Sequence, residues 1–160
     1  MRTSTTERGF TLLEILVVVV IIATLVALAS VKLAPDARQG LRDEALRLAV
    51  LLAHARDEAI VTGAPLAWQP TDTGYRFVER APDRTWRPID RDATLRAREL
   101  PPGVSLAMVE TSAPAGATPL IVLAPTGAIE PFRIALALGE HRVHVRSDVG
   151  GPAVIEEVMR

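Results

Sequence analysis

The chain has 160 residues, of which 49% are hydrophobic, and its 18 basic and 19 acidic side chains leave a formal charge of -1. That is room for one domain and one core with an anchoring segment, not for two domains, and near-neutrality excludes a global field favouring nucleic acid. Cysteine is absent, which excludes disulfides, thiolate metal sites and cysteine nucleophiles and leaves both oxidising and reducing compartments open.

A short, mostly polar stretch of nine residues, MRTSTTERG, opens the chain, and from Phe10 to Val31 the only charged residue is Glu14. The uncharged run from Ile15 to Val31 is about the length that crosses a hydrocarbon core of roughly 30 Å as a helix. The pattern predicts a transmembrane helix over 10–31. A secretory signal peptide is the competing reading, since Ala27-Leu28-Ala29-Ser30 imitates a cleavage site. Its apolar region would, however, be shorter, about 7–15 residues, and its charge would precede the run. Arg2 and Arg8 precede the span and Lys32 and Arg38 follow it, so charge counting leaves the orientation open. A carboxylate near mid-bilayer costs on the order of 2.5–3.5 kcal/mol. The span contains no Lys or Arg, so compensation for Glu14 must come from a headgroup, from water, or from a charge created on another copy of the chain.

The run Gly9-Phe10-Thr11-Leu12-Leu13-Glu14, followed by an apolar helix, resembles the N-terminus of type IV pilins and pseudopilins. The resemblance implies that a prepilin peptidase cuts after Gly9 and methylates the new amine of Phe10. It also implies that Glu14 engages the N-terminal amine of a neighbouring subunit during filament assembly. A buried carboxylate is tolerable beside an ammonium, and such a pair sets register more than it adds net stability. Loss of residues 1–9 would leave 16 basic and 18 acidic residues, a charge of -2.

Beyond the span, Pro35 removes an amide donor and Asp36 is a suitable cap, predicting a kink or short break near Pro35. From there Leu41, Ala45, Leu48, Leu52, Ala55 and Ala59 recur at steps of four and three, the spacing of one helix face. This predicts an amphipathic helix ending at Thr62-Gly63, its small-residue stripe packed on a sheet or in a coiled-coil seam. The opposite face carries Asp43, Arg47, His54 and Asp57, with Asp43 and Arg47 spaced for an ion pair.

The stretch EALRLAVLLAHARDEAIVTGAPLAW, residues 44–68, narrows the resemblance to the H-type minor pseudopilins of type II secretion and related minor type IV pilins. Ala55-Arg56, Glu58-Ala59-Ile60, Gly63 and Pro65 fall on that pattern, whereas Asp57 stands where a small or polar residue is usual. The likeness resumes at LAPTGAIEP, residues 123–131.

After Gly63 the apolar period becomes two. Strands are predicted at 66–69, 75–79, 95–99, 104–109, 120–123, 132–138, 141–146 and 154–158. The strongest signal is a hairpin in which Phe132, Ile134, Leu136 and Leu138 face Val143 and Val145 across a Gly139-Glu140 turn. Residues 80–93 and 111–119 read as loops. Trp86, in the first loop, either anchors a neighbour or packs back on its own domain.

Three histidines are present, but His141 and His144 fall on opposite faces of one strand and His54 lies on the helix, a poor arrangement for a metal. The acid pairs Asp90 with Asp92 and Glu156 with Glu157 lack the alternating oxygen ligands of a calcium loop, and the calcium motif of major pseudopilins has no counterpart. No nucleophile elbow, phosphate loop or dinucleotide fingerprint occurs. Scattered arginines without interleaved aromatics do not make a nucleic-acid groove.

The expectation is therefore a non-enzymatic α+β, pilin-like subunit without a cofactor. Its predicted parts are a leader at 1–9, a transmembrane helix at 10–31, an amphipathic helix at 32–63 and a β-rich domain at 64–160. By resemblance it sits in the bacterial inner membrane with its C-terminal domain in the periplasm. Its implied partners are the prepilin peptidase, the major pseudopilin and other minor pseudopilins, and the implied role is to link the tip complex to the shaft. The alternatives are a minor pilin of a type IV pilus, serving adhesion, motility or DNA uptake, and a single-pass periplasmic enzyme or binding protein.

Overall fold

A computed structural model describes residues 12–32, 37–89, 92–112, 118–148 and 151–158. The chain divides into two compact units, residues 1–36 and 37–160. Pro35, Asp36 and the expected break there lie outside the described residues, as do Asp90 and residues 113–117 of the second predicted loop.

The first unit is helix α1, Leu12–Lys32, whose described side chains, Leu12 to Ala27, are all exposed. Its one hydroxyl among these, Thr24 Oγ1, is satisfied internally by donating to the Val20 carbonyl at 2.7 Å. Among the described residues no helix is long and apolar enough to cross a membrane. The span predicted from the sequence begins at Phe10, outside the described residues, and continues past Ala27, where the described side chains stop.

The second unit opens with α2, Ala37–Thr62. It ends where the sequence predicts, at Gly63, whose φ of 68° supplies the left-handed turn that closes helices. Two antiparallel sheets follow. The first has the order β3-β2-β1-β6, with β4 also pairing β2, and the second has the order β5-β7-β8-β9. Their strands are β1 Leu66–Pro70, β2 Gly74–Arg80, β3 Trp86–Pro88, β4 Arg98–Glu99, β5 Val104–Glu110, β6 Ile121–Leu123, β7 Phe132–Leu138, β8 His141–Ser147 and β9 Val154–Val158.

Helix α2 packs on β1 and β6 of one sheet and on β7, β8 and β9 of the other. Leu41, Ala45, Leu48, Leu52, Ala55 and Ala59, the stripe read from spacing, are all buried, joined by Leu51 and Glu44. The apolar members of this stripe meet Leu66, Trp68, Tyr75 and Phe77 of the first sheet and Phe132, Ile134, Leu136, Val143 and Val145 of the second in one cluster. Each fully buried leucine contributes about 1.5–3 kcal/mol relative to exposure.

The β7–β8 hairpin matches its predicted register, with Leu138 opposite His141 and Gly139 at φ 59°, the sign a two-residue hairpin turn requires. The strands predicted at 66–69, 75–79, 104–109, 120–123 and 154–158 form within a residue of their expected ends, and the departures are local. Residues 80–93 are not all loop: β3 returns on β2, placing Trp86 opposite Arg80, whose guanidinium carbon lies 5.7 Å from the ring centroid. Trp86 thus packs on its own sheet. The strand predicted at 95–99 shrinks to β4, because Leu95 is buried within a turn. In β5 a bulge between Leu106 and Met108 shifts the register, so that Leu106 and Val109 pack on the core while Met108 is exposed.

At Gly74 the β2–β4 crossing is so close that a Cβ would overlap the Arg98 carbonyl oxygen. Gly74→Ala should therefore lower stability by about 1–3 kcal/mol, measured by urea unfolding of the full chain in detergent.

Candidate assembly site

The inner face of α2 carries one carboxylate into the core. Glu44 is 2% exposed; it accepts from the Tyr75 hydroxyl at 3.0 Å and from Arg47 Nη1 at 2.7 Å. Arg47 thus pairs with Glu44, not with Asp43 as its spacing suggested. Burial, followed by the charge and hydrogen bond of Glu44, pushes the Tyr75 hydroxyl well above the usual phenol range. Glu44 was missed because it is polar, although its number falls within the 41–45–48 stripe. A charged residue in phase with an apolar face was the available signal.

Along the flank, His54 Nε2 lies 3.0 Å from Asp92 Oδ2. Asp92 also accepts from the Thr94 amide at 2.7 Å, and that backbone bond, opposed in part by desolvation and aided by His54, holds its carboxyl below the usual range. On another flank Arg56 and Ile60 lie against the turn at Gly127, where a Cβ would stand 3.2 Å from Ile60 Cδ1 and 3.5 Å from Arg56 Nη2. That turn is closed by Gly127 N to Ala124 O at 2.9 Å and has Gly127 at φ 79°. The two stretches that carried the family resemblance, one on α2 and one beginning at Leu123, are therefore in contact. Glycine is needed at 127 both for its backbone angle and for this approach.

The outer face of α2 is different. Leu46, Val50, Ile60 and Val61 are exposed at 45%, 66%, 47% and 81%, and with Ala53 and Asp57 they recur at helical spacing as a second, uncovered stripe. On α1, Leu12, Leu13, Ile15, Leu16 and the apolar residues after them are likewise bare, with Glu14 in the first turn, where the helix dipole favours an acid. Gly9 and Phe10, the expected cleavage and methylation residues, lie outside the described residues.

No group of three or more His, Asp or Glu among the described residues is arranged to hold a metal ion. Of the histidines, His54 meets Asp92, His141 Nε2 accepts from Arg38 Nε at 3.2 Å, and His144 lies across from Ala135 and Glu156.

An uncovered apolar helix with a single acid in its first turn, and a second helix buried on one face by antiparallel sheets, define a pilin-like structural subunit. Residues 44–151 match the family described as Type II transport protein GspH, and residues 5–30 match the prokaryotic N-terminal methylation motif. Type II secretion system protein H of Pseudomonas aeruginosa is 32% identical over 149 residues, spanning 82% of this chain and 83% of the relative. The minor pseudopilin EpsH of the Vibrio cholerae type 2 secretion system superposes with a TM-score of 0.61 at 20% identity, over 72% of this chain and 95% of its own. The solution structure of Escherichia coli GspH gives 0.62 at 19% identity, over 77% and 92%.

The chain belongs to the GspH family, the minor pseudopilins of type II secretion. The family is structural and non-enzymatic, its fold is the expected α+β pilin-like one, and its secretion system takes precedence over the type IV pilus alternative.

Two outcomes follow from the polar contacts. Tyr75→Phe removes a hydrogen bond to a buried carboxylate and should cost about 1.5–3 kcal/mol. Arg47→Ala leaves the buried Glu44 carboxylate without its counter-charge and should cost at least as much in the same urea titration. Because the Asp92 pKa is lowered on folding, its stabilisation is complete above the unfolded value of about 3.9 and disappears as pH falls through the lower folded value. The protection factor of the Thr94 amide against hydrogen exchange, taken relative to the intrinsic rate at each pH, should therefore fall below about pH 4, and Asp92→Asn should remove that dependence.

Proposed function

We propose that the chain is made with a leader at 1–9 and spans the bacterial inner membrane once through 10–31. A helical segment at 32–63 then leads into a periplasmic β-rich domain at 64–160. The prepilin peptidase cuts between Gly9 and Phe10 on the cytoplasmic side and methylates the Phe10 amine. The mature subunit leaves the bilayer for a periplasmic pseudopilus, in contact with the major pseudopilin and other minor pseudopilins, where it links the tip complex to the shaft and serves the export of folded proteins.

The observation that carries this reading is apolar surface that the chain does not cover itself. α1 is bare from Leu12 to Ala27, and a helix that is apolar all round needs lipid or other helices against it. Both are supplied in turn by insertion followed by assembly. Glu14 fits the same sequence of events. In the bilayer it lies near the interface, where a carboxylate costs least; in the filament a neighbour's N-terminal ammonium compensates it.

Co-expression with a prepilin peptidase followed by N-terminal sequencing should yield N-methylated Phe10 as the first residue, and any other start overturns the cleavage assignment. Glu14→Ala should be processed normally yet enter the pseudopilus a hundredfold or more less, since stranding one partner of a buried ion pair costs about 3–5 kcal/mol. Undiminished incorporation, read by cross-linking to the other pseudopilins in intact cells and immunoblotting, overturns the role of Glu14.

A further inference from the structure

The outer stripe of α2 contains one charge in its middle. Asp57 follows Val50 and Ala53 by seven and four positions and precedes Ile60 and Val61 by three and four, so its carboxylate stands among exposed apolar side chains. Each cationic group near it on α2 is directed elsewhere: Arg47 to Glu44, His54 to Asp92, and Arg56 to the Gly127 turn. Among the described residues Asp57 makes no hydrogen bond or ion pair, and in the isolated chain water solvates it.

Resting on the proposed assembly into a pseudopilus, we infer that the outer face of α2 is covered there by the helix of a neighbouring pseudopilin, and that Asp57 sets the register by pairing with an Arg or Lys of that helix. The apolar residues on either side would exclude water from Asp57 once a second helix lies on the stripe. A carboxylate desolvated without a counter-charge would oppose assembly, so the surface fits one kind of occupant, an apolar helix face bearing a single basic side chain. Such a charge works chiefly by rejecting wrong offsets: sliding the partner by one helical turn strands both charges.

The test uses the full chain co-expressed with the prepilin peptidase and the other pseudopilins of its secretion system. Cross-linking to the other pseudopilins in intact cells is the readout, and an unchanged urea unfolding midpoint of the full chain is the folding control. Val50→Glu probes the stripe; Asp57→Asn and Asp57→Arg probe the charge. The expected result is that all three lower incorporation by about tenfold or more, with Asp57→Arg rescued by a Lys or Arg to Glu change on a partner's helix. If Val50→Glu fails to assemble while both Asp57 variants assemble as the parent does, the pairing is overturned and the assembly face stands. If Val50→Glu assembles normally, the face itself is wrong and the inference falls with it. Loss in Asp57→Arg but not in Asp57→Asn also overturns the pairing, because it shows intolerance of a cation without need for the acid.

Discussion

The contact on which the domain depends is the packing of α2 across both sheets. Neither sheet closes on itself, and the two share no strand; the stripe from Leu41 to Ala59 joins them into one apolar cluster. Its small residues explain how. Ala45, Ala55 and Ala59 are fully buried, and a methyl group lets the helix axis lie close over strands whose own side chains, Trp68, Tyr75 and Phe77, are large. The aromatic residues of the first sheet also pack on each other, with the Tyr75 and Phe77 rings edge to face at 6.3 Å.

That packing uses one face of the helix and leaves the other in water. A monomeric protein does not usually keep several large aliphatic side chains bare along one helix. On the function proposed above, this uncovered surface is what neighbouring chains would cover. The two sides of one element thus differ in kind: the inner side is rich in alanine and leucine and carries a satisfied carboxylate in Glu44, and the outer side is aliphatic and exposed, with Asp57 among its residues.

Much of this was legible in sequence because it follows from periodicity. The buried stripe, the end of α2 at Gly63 and the β7–β8 register all rest on local rules: spacing of 3.6, spacing of 2, and glycine where φ must be positive. What failed depended on contacts distant in the chain. β3 is three residues long and exists because β2 offers it an edge; nothing in Trp86-Arg87-Pro88 alone marks a strand. The β5 bulge was invisible because strict alternation would have buried Met108, and only the fit against β7 shows that Val109 takes the inner place. Glu44 was passed over because a carboxylate reads as surface until Tyr75, thirty-one positions away, is known to face it.

By itself the sequence determined the class of protein, the N-terminal motif and the helix stripe, since each is written in residues close together along the chain. Only the tertiary structure decided that there are two sheets and that Arg56 and the Gly127 turn meet. It alone decided that Arg47 serves Glu44 and that His54 serves Asp92, leaving Asp57 exposed. The physical reason is that ion pairs and sheet edges are chosen by proximity in space, and which cation reaches which carboxylate is settled when the helix lands on the sheets.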